Sequence, residues 1–258
     1  MSDKSYILER PKSPSNRLRK ASLVSSLLTF FTAIMLILTL RWGLAEPYVI
    51  PSGSMMPTLL IHDHILVNKL AYGLRIPFSK KWIFRFSGPN RGDVVVFRST
   101  EDDDFYLVKR VIGLPGDKIV MSANGQLWIN QKAMTRQHLL ENNSQMSSFT
   151  DIDLADDKSQ LDFYLETYTP TKKIVTQANR SINRSEIKEI TVPKNHLFLM
   201  GDNRDKSRDS RYWGTLPMSN LIGKAMFVWL SCEKTLASAP FLCDPSTIRW
   251  NRFFHAVK

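Results

Sequence analysis

The longest apolar run in the chain is 21–40, ASLVSSLLTFFTAIMLILTL, twenty residues without a charge. At about 1.5 Å per residue it reaches across a bilayer core, so a transmembrane helix is predicted over 21–42, with Trp42 at its outer interface. Beyond it no long 3.6-residue periodicity appears. Short β-branched runs bounded by turn formers recur instead, at 64–68, 92–97, 106–112, 118–121, 126–130, 187–192, 196–200 and 224–230. Each reads as a strand, and together they predict a mainly β body of antiparallel sheets or a partly open barrel. From 131 to 185 the pattern lapses: Asn142, Asn143, Ser144, Ser147 and Ser148 precede Asp151, Asp153, Asp156 and Asp157. That composition suits a surface insertion or small cap subdomain. The acidic cluster lacks the fixed glycine and terminal glutamate of a calcium loop.

Charge adds a direction to this layout. Lys4, Arg10, Lys12, Arg17, Arg19 and Lys20 precede the apolar run, and only Arg41 follows it closely, which predicts a cytoplasmic basic tail (1–20) and an extracytoplasmic body (43–258). Gly43-Leu44-Ala45 resembles a cleavage site, but the run exceeds the ~7–15-residue core of a cleaved signal. The net charge of +11 comes without any helix-turn-helix, zinc-finger or RNP-like pattern. Anionic lipid is the better partner, and no nucleic acid is expected. Residues 80–86, KKWIFRF, mix cations with aromatics and read either as an ordinary hairpin or as a loop dipping into a membrane surface, where Trp250, Phe253 and Phe254 would join it.

Candidate chemistry concentrates in three stretches. Ser52 and Ser54 lie in IPSGSMMPTLLI (50–61), where either serine could be a plain turn hydroxyl. Lys109 lies in FYLVKRVIGLPGD, and a lysine desolvated by apolar neighbours such as Tyr106, Val96 and Val108 can act as a neutral base toward a serine nucleophile. Arg110 beside it is excluded as a base because guanidinium stays charged. GDNRDKSRDSRYWG (201–214) is dense in Asp, Arg and Ser, as a buried polar network is, and Leu114-Pro115-Gly116-Asp117 reads as a turn. His62-Asp63-His64 would set two imidazoles on one strand face, yet no further ligand is evident and no metal is expected.

These blocks, with RGDVVVF and PSGSMMPTL, stand in one order from about Tyr48 to IRWNRFF near the C-terminus. In them the chain resembles the bacterial type I signal peptidases, membrane-bound Ser/Lys proteases that remove signal peptides from exported proteins. The resemblance implies a β catalytic body, no cofactor, Ser54 as nucleophile and Lys109 as general base. It implies an oxyanion hole from the Ser54 N–H and the Ser52 hydroxyl, Ser207 orienting the lysine, and Asp209 with Arg211 as a supporting ion pair. Asp202 and Arg204 are expected to be further scaffold. The expected pocket for small substrate residues is lined by Tyr48, Ile50, Met55, Leu59, Ile65, Val96 and Val108, with the peptide adding a strand at a sheet edge. Expected partners are signal peptides of exported preproteins, membrane lipid and the neighbourhood of the export machinery.

Two departures stand out. Many relatives carry two transmembrane segments where this chain offers one, and relatives commonly have glycine where His62 stands. Cys232 and Cys243, the only cysteines, are expected to pair in an exported domain, a reduced pair being the alternative. A self-cleaving repressor of the related Ser/Lys type would lack the apolar run and carry a DNA-reading domain. A membrane-anchored binding module would not need Lys109.

Overall fold

In a computed structural model of the chain, the described residues are 24–36, 44–76, 79, 81–102, 105–139, 161–169, 172–179 and 187–257. Residues 24–36 form helix α1. Val24, Leu27, Leu28, Phe30, Phe31, Met35 and Leu36 on it are all exposed. Thr29 and Thr32 donate their hydroxyls to the carbonyls of Ser25 and Leu28, so these polar groups are satisfied within the helix. No helix among the described residues is long and apolar enough to cross a membrane, and positions 21–23 and 37–42 of the predicted span lie outside them.

The other described residues form mostly strands. In order they are β1 (Ala45–Val49), β2 (Asp63–Asn68), β3 (Gly73–Arg75), β4 (Trp82–Arg85), β5 (Val94–Arg98), β6 (Tyr106–Gly113), β7 (Lys118–Met121), β8 (Leu127–Ile129) and β9 (Lys132–Ala133). They continue as β10 (Thr135–Leu139), β11 (Leu161–Thr169), β12 (Lys172–Asn179), β13 (Ile187–Thr191), β14 (His196–Met200), β15 (Leu216–Pro217), β16 (Leu221–Ser231), β17 (Thr235–Leu236), β18 (Ala239–Cys243) and β19 (His255–Ala256). The principal antiparallel sheet runs β1-β2-β16-β5-β6-β14-β15, with β19 added against β16. A smaller sheet, β13-β7-β8-β9, abuts it through the core residues Ile112, Ile119, Phe198 and Met200.

Both faces of the principal sheet are covered. Val94 and Val96 of β5 pack with Met55, Leu59, Ile65 and Val228, while Val95 and Phe97, alternating with them, pack with Leu197, Leu199 and Leu216. This two-sided burial explains why β5 reads as a continuous apolar run. The sheet is also strongly curled. β1 and β6 stand four strand positions apart, about 19 Å in a flat sheet, yet the rings of Tyr48 and Tyr106 on them meet with centroids 5.6 Å apart. Curling brings the edge strand and the first half of β6 to either side of one groove.

The polar insertion is itself structured: within 131–185, β10, β11 and β12 form a three-stranded antiparallel sheet with Leu139, Leu161 and Phe163 buried in its own small cluster. The acidic stretch 151–157 lies outside the described residues. KKWIFRF does form a hairpin arm, β4 pairing with β3. Its rings are divided: Arg75 stacks over Trp82 at 4.0 Å, while Ile83, Phe84 and Phe86 stay exposed. His62 sits before β2 with φ of 65°, a backbone region that favours glycine, and donates from Nδ1 to the carbonyl oxygen of Glu233. It therefore does not share a strand face with His64, which meets Cys243 instead. Cys232 and Cys243 form a disulfide.

Candidate active site

The nucleophile stretch follows β1 as a tight 3-10 turn, Gly53–Met55, anchored at both ends. Asn203 holds its near side, the side chain donating to the carbonyl of Gly53 (3.1 Å) and the backbone N–H to that of Ser54 (3.1 Å). Below, the turn is clamped by a buried ion pair: Arg252 grips Asp63 through Nε (3.1 Å) and Nη2 (2.6 Å) and also donates to the carbonyl of Thr58. Asp63 in turn accepts from the backbone N–H of Leu60 at 2.8 Å.

Lys109 approaches from within β6, opposite Val95 in the β5 register and not at the end of a hairpin. Its Nζ lies 2.6 Å from Ser54 Oγ and donates to the carbonyl of Val108 at 3.0 Å. The residue is 3% exposed. Burial of the amine, opposed by Asp209 and Asp202 and assisted by Arg211, lowers its pKa from the ordinary 10.5 to about 8. Ser52 Oγ stands 3.5 Å from Ser54 Oγ, so two hydroxyls and an amine converge on one point.

Stretch 201–214 wraps this centre with ion pairs. Asp202 takes a two-point contact from Arg110 (2.7 and 2.6 Å), both side chains buried, and accepts from Thr58. Arg110, excluded as a base, is thus the strut between β6 and this loop. Asp209 caps helix α2 (Ser210–Trp213), receives the N–H of Gly201 at 2.9 Å and pairs with Arg211, which also donates to the carbonyl of Arg204. Gly201 is needed for close approach: a Cβ there would stand 2.4 Å from the carbonyl of Ser54 and 2.3 Å from Ser207 Oγ. Arg204 turns the other way, into the inserted sheet, where it meets Glu166 at 2.5 Å through both nitrogens and Tyr168 at 2.7 Å. Burial disfavours the Glu166 carboxylate, but the Arg204 charge and the hydrogen bonds outweigh it and hold its pKa below the ordinary value.

Two expected placements are corrected. Ser207 Oγ is buried beside the centre but has no hydrogen-bond partner among the described residues, and the amine of Lys109 is turned to Ser54 and Val108 instead. Leu59 and Ile65 do not line the groove: both are fully buried in the core behind it, packed in one cluster with Val67, Val94 and Val228. The groove has a volume of about 310 Å³ and is walled by Tyr48, Ile50, Met55, Val96 and Val108, with Phe105, Tyr106 and Leu107 added from β6 and its approach. Asn203, Glu166, Tyr168 and Arg252 were not singled out from sequence; an isolated polar residue carries no sign of its distant partner. Among the described residues the one group of three metal-ligating side chains is His64, Cys232 and Cys243, away from the groove.

A hydroxyl held against a buried amine in an apolar groove can be deprotonated as it attacks a carbonyl. Comparison with known proteins places the chain among peptidases. The family model described as "Signal peptidase, peptidase S26" matches residues 23–230. A signal peptidase I of Pseudomonas aeruginosa is 36% identical over 213 residues, covering 79% of this chain and 71% of its own. One from Buchnera aphidicola is 36% identical over 243 residues, covering 83% and 77%. A solved signal peptidase I from Enterococcus faecalis V583 shares 25% identity over 54% of this chain and 97% of its own, with a TM-score of 0.31. The chain is a serine endopeptidase. The matched span includes Ser52, Ser54, Lys109 and all of 201–214. By that match the chain belongs to the signal peptidase family, peptidase S26.

Proposed function

We propose that this chain is an anchored signal peptidase that uses Ser54 as nucleophile and Lys109 as general base to cut exported preproteins after small residues. The observation that carries the reading is the 2.6 Å approach of Lys109 Nζ to Ser54 Oγ at a site where the amine is buried. The neutral amine takes the hydroxyl proton as Oγ bonds to the scissile carbonyl, then returns it to the leaving amine. The developing oxyanion is received by the Ser54 N–H and the Ser52 hydroxyl. Asp202, Asp209 and Arg211 hold the centre, and Arg204 ties it to the inserted sheet.

Substrate enters as an extended strand. Among the described residues, 106–109 of β6 pair with β5 alone, since β14 begins its pairing at Arg110, so one backbone edge of this half-strand faces the groove region. The groove's apolar walls and modest volume suit small side chains. Membrane attachment is assigned to 21–42, on the uncharged run and the exposed apolar side chains of α1, with 1–20 cytoplasmic and 43–258 on the outer face of the cytoplasmic membrane. There the body would act near the export machinery. Exposed Ile83, Phe84 and Phe86, and separately Trp250, Phe253 and Phe254, would rest on lipid.

The test is cleavage of a purified preprotein by wild type, Ser54→Ala and Lys109→Met, with folding of each verified. Loss of cleavage by about 10²–10⁴-fold or more in both variants is expected for removal of nucleophile or base. Undiminished cleavage by either folded variant refutes the assignment.

A further inference from the structure

His64, Cys232 and Cys243 form a cluster that the peptidase mechanism does not use. His64 lies on β2, held by backbone pairing to Val49 on one side and Leu230 on the other. Cys232 follows β16 and makes a bridge to Ile248, while Cys243 ends β18 opposite Thr235. Each of the three is thus fixed by backbone pairing that does not depend on the sulfur–sulfur bond. Their ligating atoms lie within 4.8 Å of one another, and His64 Nε2 stands 3.5 Å from Cys243 Sγ. That separation matches the roughly 3.5 Å between a nitrogen and a sulfur bound to one tetrahedral zinc ion. Trp229 packs edge-on against the imidazole, with centroids 5.5 Å apart, and fixes the ring's orientation. His64 and Cys232 are buried and Cys243 is half-buried as a residue, with the ligating groups of all three turned inward.

We propose that reduction of the Cys232–Cys243 bond creates a Cys2His site for a thiophilic divalent cation of the zinc class. The reaction balances simply. A dithiol delivers two electrons and two protons to the bond and is itself oxidised to a disulfide. Both thiols then lose their protons to solvent as the ion binds, and His64 contributes the Nε2 lone pair with its proton on Nδ1. Two thiolates and one imidazole select zinc-like ions over magnesium or calcium, and the fourth position stays open to water. The site is distinct from the groove of Ser54 and Lys109, although Val49, paired to His64, lines that groove.

The experiment titrates Co2+ into the full chain, reduced with a dithiol that is then removed under anaerobic conditions. Expected are one equivalent bound, a thiolate-to-cobalt charge-transfer band, and displacement by Zn2+. The oxidised chain should show no such band. Cys243→Ser should abolish it, and His64→Gln should weaken binding at least tenfold, with unfolding curves of the oxidised chains showing which variants fold. A reduced, folded wild type that binds no Co2+ would overturn the proposal, as would equal affinity in His64→Gln. So would a reduced chain that unfolds whether or not Zn2+ is present.

Discussion

Replacing Lys109 by methionine should make the protein more stable at neutral pH while removing its activity. The difference between 10.5 and about 8 corresponds to about 3 kcal/mol of disfavour for the charged amine in the folded state. Because the folded pKa is the lower one, the unfolded chain holds the extra proton between these two values. Wild-type stability therefore rises with pH across that window, and below pH 8 the full penalty is present. Methionine keeps much of the volume and carries no charge. Its cost is two hydrogen bonds, to Ser54 Oγ and the Val108 carbonyl, at about 1 kcal/mol each. At pH 7 the variant should thus gain about 1 kcal/mol, and by pH 10.5 it should be less stable than wild type by about 2 kcal/mol. The hydrogen-bond cost is the same at both pH values, so the change of about 3 kcal/mol between them isolates the amine. Urea unfolding followed by tryptophan fluorescence, at a series of pH values, reads it directly. A stability difference that does not move between pH 7 and 10.5 would refute the buried, depressed lysine. The same pKa places the rising limb of wild-type cleavage near pH 8, with roughly a tenth of the amine neutral at pH 7.

Glu166→Gln leaves Arg204 buried without its counter-charge and should cost about 3–5 kcal/mol, with cleavage falling as the loop loses its brace. Adding Arg204→Met should recover most of the stability in denaturant unfolding; no recovery would show that the pair is not coupled. At His62, glycine should be more stable than alanine by about 1–2 kcal/mol, since both lose the contact with Glu233 but only glycine relieves the positive φ. Equal unfolding midpoints for the two variants would contradict that backbone argument.

The core strands were legible because their β-branched runs are bounded by turn formers, as at Val94–Arg98 and His196–Met200. β1 was not, because Glu46 and Pro47 interrupt its apolar pattern, and a proline is tolerated there only because the strand is an edge. β11 and β12 were hidden for a different reason: the polar composition around 142–157 coloured the whole insertion, although Leu161, Phe163 and Leu165 alternate as a strand should. Leu59 and Ile65 show the limit for the groove. Apolar character marks a residue as inside, but only the curl of the sheet decides whether it faces a cavity or the packed core behind it.

The clamp of Arg252 on Asp63 bears on how the protein matures. Ser54 lies early in the chain, yet the segment that bears it is not fixed from below until residue 252 has arrived to grip Asp63 and the carbonyl of Thr58. A nascent chain that has passed Lys109 but not reached Arg252 holds the serine and the lysine without the floor beneath them. The support beneath the serine turn is thereby tied to synthesis through residue 252, since Asp63 and Thr58 are gripped by a side chain almost two hundred positions further along the chain.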